Sequence, residues 1–365
     1  MPRQQRAATI PPNGRHIVWD EQNLKKPWHL SELFDSVRVI PLETNEESLI
    51  GEITRLQYVK DHFYILDRKT KALLVFDHQG KFLWKIQSVG RGPQEYTRLI
   101  DLDIDPEKET INLYVGYPQK LMQYDLNGKF INEYNIGINA NSIALQSDRL
   151  ILNAANQANL IEGEMADPQL LIKHLKTDSL YTYLPATLKD NRHTCLIFNY
   201  GEGIFRYGKE LLLFLPLDNN IYAVHGKTPE IKYRFDFGNY NLPAHLTLED
   251  IRKSNYVHGL NSFWENERFC YFQATLNQYL FDFLYHKEKD ILYHGYLADD
   301  IGYYMPHIVS ADNKYMLCYA NINELMSNAQ YLEEKKGEHH HPVSKLIRQI
   351  KEADNPVLLL YRFKQ

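Results

Sequence analysis

The segment LLVFDHQGKFLWKI, from Leu73 to Ile86, recurs as LMQYDLNGKFINEY from Leu121 to Tyr134, 48 residues further on. In each copy an alternating apolar run reaches an aromatic residue and an aspartate, and Gly-Lys-Phe follows two residues later. This pattern predicts two strands joined by a tight turn, in which Gly80 and Gly128 supply the positive φ. A hairpin that recurs every 40 to 50 residues or so is typical of β-propeller blades, each of which is a four-stranded sheet.

Two separate counts along the chain give the number of blades. Weaker copies of the outer hairpin follow at similar spacing: LIKHLKTDSLYTYL (171–184), NIYAVHGKTPEIKYRF (220–235), FLYHKEKDILYHGYL (283–297) and the single strand VLLLYRF (357–363). The inner strand pairs are ITRLQYV/FYILD, LIDLDI/INLYV, SIALQ/RLILN, FRYGKELLLFL, FWENERFCYFQ and MPHIVS/KYMLCYA. Both counts reach six. The sequence therefore predicts an all-β fold, a six-bladed β-propeller with four-stranded blades.

The ends of the chain and two insertions complete this prediction. The early strand VRVIPLE (37–43) is expected to pair with VLLLYRF, because a closed propeller must cover the open edge of its last blade. The polar residues 1–29 are predicted to form a flexible N-terminal arm, and residues 30–365 a single propeller domain. Short helices are predicted near residues 246–260, where Thr247 and Asp250 form a capping pattern, and near residues 323–354.

Composition excludes several classes of protein. The 365 residues carry a net charge of −5, which argues against a nucleic-acid or anionic-membrane partner because both require a basic face. No apolar run approaches the length of a membrane span. Cys195, Cys270 and Cys318 are too few for a disulfide framework, and their apolar surroundings predict small buried core residues.

The segment VGRGPQEYTRLIDLDID (89–105), followed by INLYV and the second hairpin, resembles the NHL-type propeller repeat. Together with LSELFDSVRVIPLETNEESLIGEI (30–53), it resembles a family of bacterial six-bladed β-propellers, TolB-like in architecture, that are often exported lipoproteins and mostly uncharacterised. The resemblance implies an envelope location, either periplasmic or anchored in the outer membrane. From the polar start MPRQQRAATIPPNGRH we expect no export signal or lipidated cysteine of that family within the residues given. No reaction is implied.

Three motifs that could indicate a cofactor or metal have simpler interpretations, and we predict no cofactor. GRGPQEY (90–96) is followed by strand residues rather than by the helix that a phosphate loop requires, so we interpret it as a blade-connecting loop. His339, His340 and His341 lie in a charged insertion and indicate a solvated run rather than a metal tract. The alternating aspartates Asp101, Asp103 and Asp105 of DLDID (101–105) share one strand face, but the glycine and glutamate of a calcium loop are missing.

The first residues of the six inner strands are the candidate ligand-binding residues, because inner strands line the central channel of a propeller. Alignment of the strands places six residues in register at the channel mouth: Arg55, Arg98, Ser142, Arg206, Ser262 and His307. Three arginines and a histidine with no carboxylate are unexpected in an acidic chain and predict an anionic ligand, such as an acidic glycan or a peptide carboxylate. The alternative is that small register errors have grouped unrelated surface arginines.

These observations leave three hypotheses for function. The first is a non-enzymatic envelope or secreted propeller that binds a ligand or a protein partner at the channel mouth. The second is a metal-dependent hydrolase or lyase with its site in the channel, which requires metal-ligating residue types at most strand entries, where only His307 qualifies. The third is a structural platform that docks a partner on an outer blade edge.

Overall fold

The computed structural model describes residues 14–155, 157–183, 203–215, 217–225, 228–243, 246–298, 307–327, 351 and 354–364. The chain divides into two compact units. The first comprises the N-terminal residues up to 25 together with residues 89–295, and the second comprises residues 26–88 together with residues 296–365. We call them unit 1 and unit 2.

Six of the sheets each contain the four strands of one blade, and the fold is the predicted six-bladed β-propeller. The N-terminal segment forms β1 (Arg15–Val18), β2 (Leu24–His29), α1 (Leu30–Leu33) and β3 (Phe34–Pro41). Blade 1 consists of β4 (Arg55–Val59), β5 (His62–Asp67), β6 (Ala72–Asp77) and β7 (Phe82–Ile86). Blade 2 consists of β8 (Arg98–Asp105), β9 (Thr110–Gly116), β10 (Lys120–Asp125) and β11 (Phe130–Asn135).

The remaining blades follow the same plan with local additions. Blade 3 contains β12 (Ser142–Gln146), β13 (Arg149–Asn153), β16 (Leu170–His174) and β17 (Leu180–Tyr183), with the extra hairpin β14 (Asn159–Ile161) and β15 (Glu164–Ala166) between its second and third strands. Blade 4 consists of β18 (Ile204–Tyr207), β19 (Glu210–Phe214), β20 (Asn220–His225) and β21 (Thr228–Asp236). Then come α2 (Leu248–Arg252) and blade 5, with β22 (His258–Glu265), β23 (Phe269–Leu276), β24 (Tyr279–His286) and β25 (Ile291–Ala298). Blade 6 contains β26 (His307–Ala311), β27 (Tyr315–Ala320) and β28 (Val357–Phe363).

The two Gly-Lys-Phe turns have the predicted geometry. Gly80 and Gly128 adopt φ of 84° and 81°, in the left-handed region that favours glycine. In each turn the preceding aspartate holds the loop. Asp77 Oδ1 accepts the backbone N–H of Lys81 at 2.9 Å, and Asp125 Oδ1 accepts that of Lys129 at the same distance. Aspartate and glycine together therefore explain why the motif recurs.

The predicted pairing of the chain ends is confirmed within unit 2. Strand β3 pairs antiparallel with β28, from Val357 opposite Pro41 to Phe363 opposite Phe34, and so becomes the outer strand of blade 6. Buried Asn355 secures the approach to β28. Its Nδ2 donates to the carbonyl of Ser48, and its Oδ1 accepts the N–H of Ile50, both at 2.8 Å.

The prediction of a flexible arm through residue 29 is wrong from Arg15 onward. Strand β1 pairs in parallel with β21, and β2 lies beside β25, so that blades 4 and 5 each have a fifth strand. Ile17 and Trp19 bury their side chains, whereas Val18 between them is exposed. The apolar run IVW is only three residues long and shows no alternation of polar and apolar residues, which is why the sequence did not reveal this strand.

The helical insertions agree with the prediction where the structure describes them. Helix α2 begins after Thr247, whose side chain accepts the N–H of Asp250 while Asp250 accepts the N–H of Thr247, as the capping pattern indicates. Residues 322–327 are helical. The remainder of the second insertion, with His339, His340 and His341, lies outside the described residues. Among the described helices, none has the length and apolar character to cross a membrane.

Aromatic and small apolar side chains fill the core of each unit. In unit 1 the rings of Phe272 and Phe283 stack with centroids 5.0 Å apart, close to fully buried Cys270. Cys318 in unit 2 is also fully buried. The prediction of buried core cysteines is therefore confirmed for these two, and Cys195 lies outside the described residues.

Candidate functional site

Four of the six predicted entry residues are the first residues of inner strands: Arg55, Arg98, Ser142 and His307 begin β4, β8, β12 and β26. The other two lie further along. Arg206 is the third residue of β18 and Ser262 the fifth of β22. The register of β22 shifts twice between His258 and Trp264, and Ser262 has a φ of 52°, so its strand does not follow the simple alternation assumed from the sequence.

The residue that begins β22 is His258, which the sequence alignment missed. It is buried, and its Nδ1 lies 2.8 Å from the carbonyl oxygen of Tyr256. Burial lowers the pKa of His258, because the charged imidazolium is poorly solvated there. The signal available in the sequence was the run HGLNSFWE, which places a histidine ahead of the apolar residues of the strand.

In unit 2 the two candidates have different surroundings. Arg55 is almost completely buried. His307 is exposed, stacks on Tyr319 with ring centroids 4.7 Å apart, and places Nε2 3.1 Å from Glu324 Oε1. The sequence predicted no carboxylate among the residues at the channel mouth. Glu324 was missed because it belongs to the insertion that follows β27 rather than to an inner strand.

In unit 1 the aspartates of β8 connect two inner strands. Asp101 Oδ2 accepts the backbone N–H of Ile143 at 2.7 Å, and Asp103 Oδ2 accepts that of Leu145 at 2.8 Å. Both carboxylates are buried, and both acceptors belong to the shared strand face that the sequence predicted. Their side chains thus provide the hydrogen bonds that join β8 to β12, which is a structural use of the alternating aspartates.

Arg206 extends this network from a third inner strand. Its Nη2 lies 3.0 and 3.2 Å from the two oxygens of Asp103 and donates to the carbonyl of Leu145 at 3.1 Å. Only 17% of the Arg206 side chain is exposed. Asp103 therefore neutralises Arg206, and the premise that no carboxylate accompanies the candidate arginines is wrong here. Ser142, at the start of β12, is fully buried.

Arg98 differs from these residues because it is exposed at the start of β8. It pairs with Gly116, and its side chain lies over that glycine: a Cβ added there would be 3.6 Å from Arg98 Cδ. The next residue, Tyr117, is 68% exposed. Arg91, in the loop leading to β8, is exposed as well. Among the described residues, neither Arg91 nor Arg98 has an acidic partner. We call Arg91, Arg98 and Tyr117 the basic edge.

The loop that carries Arg91 is held by contacts within itself. Val89 bridges Tyr96 in parallel, and the N–H of Gly90 donates to the Tyr96 carbonyl at 3.0 Å. The N–H of Gly92 donates to Glu95 Oε2 at 2.6 Å, so the chain's own carboxylate occupies the position where a phosphate would bind. This geometry agrees with a connecting loop rather than a phosphate loop.

A second buried charge cluster lies in blades 4 and 5 of unit 1. The fully buried carboxylate of Glu265 has Lys232 Nζ at 2.6 Å and Lys287 Nζ at 3.6 Å. Lys232 also pairs with Glu210, and both ammonium groups lie between 5.5 and 5.8 Å from the ring centroid of Tyr233. The pKa of Lys232 is raised, because the attraction of Glu265 and Glu210 outweighs the opposing effect of burial. Mutual neutralisation makes this cluster a structural element between strands.

Among the residues that the structure describes, no group of three or more His, Cys, Asp or Glu side chains is arranged to hold a metal ion.

The family model described as "Domain of unknown function (DUF4934)" matches residues 16–362. The chain belongs to this family. Among curated proteins, none matches it.

Two solved structures are similar in fold. One is BF0058 of Bacteroides fragilis, provisionally named an exported protein, with a TM-score of 0.76 and 19% identity over 96% of this chain and 100% of that chain. The other is a DUF4221-family protein of Bacteroides vulgatus, with a TM-score of 0.54 and 11% identity over 91% of this chain and 97% of that chain. At these identities the similarity concerns the fold.

Proposed function

We propose that the protein is a non-enzymatic binding protein of the bacterial cell envelope that recognises an acidic sugar at the basic edge of blade 2. One observation carries this proposal. Arg91 and Arg98 are exposed without an acidic partner among the described residues, and exposed Tyr117 follows Gly116, the strand partner of Arg98, in a chain whose net charge is −5.

The arginines determine the charge of the ligand. A guanidinium presents a rigid fork of N–H donors that matches the two oxygens of a carboxylate or a sulfate. Elsewhere in unit 1, Arg206 satisfies this preference within the protein through Asp103. Because Arg91 and Arg98 have no such partner, an anion from outside the chain fits them best.

Tyr117 favours a sugar over a simple inorganic anion. Tyr117 is 68% exposed and follows Gly116, the partner of Arg98 across the strand pair. A flat aromatic face accepts the apolar C–H face of a sugar ring, and the phenol hydroxyl can hydrogen-bond at the edge. A ligand with a ring and a carboxylate, such as a uronic acid, uses both kinds of contact.

The basic edge is held before any ligand binds. Arg98 sits on a paired strand, and the hydroxyl of Thr97 donates to the Gly116 carbonyl at 3.2 Å. The self-contacts of the loop from Val89 to Tyr96 restrain the backbone that carries Arg91. Such preorganisation lowers the entropy cost of binding.

The envelope location is part of the proposal. It is supported by the resemblance to exported propellers and by the name of the similar protein of Bacteroides fragilis. Fractionation of the native cells tests it. We expect the protein in the membrane or periplasmic fraction. Recovery in the cytosol alone would refute the location.

Binding of an oligogalacturonate, measured by isothermal titration calorimetry, tests the ligand class. We expect binding to the wild-type protein, no binding of an uncharged oligosaccharide of the same length, and weaker binding as the salt concentration rises. Arg98→Ala and Arg91→Ala should each weaken binding by about 1.5–3 kcal/mol, the value of a charged hydrogen bond.

Lys129→Ala is the matched control for charge. Lys129 is exposed in the same blade, in the turn between β10 and β11 at the opposite end of the strands from Arg98. Its removal should leave the affinity unchanged. If Lys129→Ala weakens binding as much as Arg98→Ala does, the interaction is a general charge effect and the proposed site is wrong.

A further inference from the structure

We infer that the β14–β15 hairpin is a docking element for a second protein, whose surface presents an apolar hollow edged by lysine or arginine. This inference is independent of the ligand proposed for the basic edge. It rests on the hairpin's inverted polarity and on its charge.

The hairpin is an insertion with its own regular structure. Leu160 lies opposite Met165 and Ile161 opposite Glu164, and the two strands form a sheet separate from blade 3. Glu162 and Gly163 form the turn with φ of 51° and 87°, the combination required by the tight turns of two-residue hairpins. The hairpin therefore has a turn that its own sequence determines, and its strands do not belong to a blade.

One face of the hairpin fastens it to unit 1. Asn159 is buried, its Oδ1 accepts the N–H of Asn139 at 2.7 Å, and its Nδ2 donates to the Asn139 carbonyl at 3.1 Å. Asn139 in turn donates to the carbonyl of Ala158 at 3.0 Å. Ile161, on the same face as Asn159, packs against the apolar core of blades 2 and 3. A short two-stranded hairpin is marginal by itself, so these contacts fix its position.

The opposite face of the hairpin carries large apolar side chains, which are ordinarily buried in a protein core. Leu160 and Met165 are cross-strand partners, and they are 69% and 67% exposed. A hairpin with its anchored face on a core is expected to show polar residues to solvent. This hairpin instead exposes two adjacent apolar side chains to solvent. Methionine is also enriched at the centre of protein interfaces.

The charges around this apolar pair define the partner. Glu162, Glu164 and Asp167 are exposed at neighbouring positions of the chain, and the sequence contains no lysine or arginine from residue 150 to residue 172. Carboxylates around an apolar centre complement a basic rim around an apolar hollow. They would be repelled by an anionic lipid surface, which makes a membrane the poorer fit.

A displayed library of random 12-residue peptides is the probe for this surface. It is panned on the wild-type protein after counter-selection on the double variant Leu160→Ser, Met165→Ser. We expect enrichment of peptides that combine large apolar residues with lysine or arginine. The affinity of a selected peptide should fall by at least about tenfold in the double variant. Ile131→Ser is the matched control, because Ile131 is an exposed apolar residue of β11 outside the hairpin, and it should retain the affinity.

Three results would overturn the inference. Enrichment of acidic peptides would contradict the charge argument, and no enrichment over the double variant would show that the hairpin docks no such sequence. A wild-type dimer in sedimentation that becomes a monomer in the double variant would mean that a second copy of the chain occupies this face. The two serine side chains replace mostly exposed ones, so the melting temperature should be preserved and all three results remain interpretable.

Discussion

Arg98 belongs to strand β8 and Arg206 contacts the same strand, yet the two arginines serve different purposes. Arg206 reaches from β18 to Asp103 of β8, with Nη2 within 3.2 Å of both carboxylate oxygens, and is mostly buried. Arg98 begins β8, is exposed, and has no acidic partner among the described residues. The sequence treats them alike, as arginines near the start of an inner strand. The position of a carboxylate separates them.

These two arginines show which charges in this fold are available to a ligand. A buried charge needs a partner within the protein, because desolvation is otherwise too costly. Arg206 with Asp103, and Glu265 with its two lysines, satisfy this condition and stabilise the packing of strands. An exposed charge is stabilised by water and needs no partner within the protein. The exposed guanidinium of Arg98 therefore remains able to bind an anion.

The largest effect is expected at Glu265, the most deeply buried member of these pairs. Glu265→Ala removes the carboxylate that both Lys232 and Lys287 contact, and leaves Glu210 as a partner for Lys232. Loss of one partner from a buried ion cluster should lower the free energy of unfolding by about 3–5 kcal/mol. Urea denaturation measures it. A loss below about 1 kcal/mol, the scale of a surface pair, would show that solvent already screens the cluster.

A smaller loss is expected at Asp103. Asp103→Ala removes the acceptor for the N–H of Leu145 and leaves Arg206 without its carboxylate, although Arg206 keeps its bond to the Leu145 carbonyl. We expect the free energy of unfolding to fall by about 2–4 kcal/mol, from an unsatisfied buried donor together with a weakened ion pair. In the double variant with Arg206→Met, part of this loss should be recovered. No recovery would mean that the Arg206–Asp103 pair is uncoupled.

The sequence predicted the blades well because their signals are local. The Asp-x-x-Gly-Lys-Phe turns fix φ at Gly80 and Gly128, and alternation of apolar residues fixes the strands on either side. The predicted entry residue begins its inner strand in four of the six blades, two of which have a shift of register in that strand. In the other two, Arg206 is the third residue of β18, and Ser262 is the fifth residue of β22, where the register shifts twice.

The environment of the candidate site could not be predicted in the same way. Asp103 and Arg206 are 103 residues apart, and only the packing of blades brings them together. Glu324 lies beside His307 through an insertion rather than a strand. The β14–β15 hairpin was missed because its three-residue strands are too short for a period to be recognised. The pairing of charges thus depends on tertiary structure. The exposure of Arg91 and Tyr117 likewise could be seen only in the structure.

A crystal structure of the protein soaked with oligogalacturonate tests most directly whether the basic edge is the ligand site. We predict a uronate carboxylate within about 3 Å of the Arg98 guanidinium, the usual length of a charged hydrogen bond, with a sugar ring against Tyr117. Arg206 should remain paired with Asp103 in the same crystal. The proposed site is wrong if the sugar binds elsewhere, or if Arg98 is found paired with a carboxylate of its own chain.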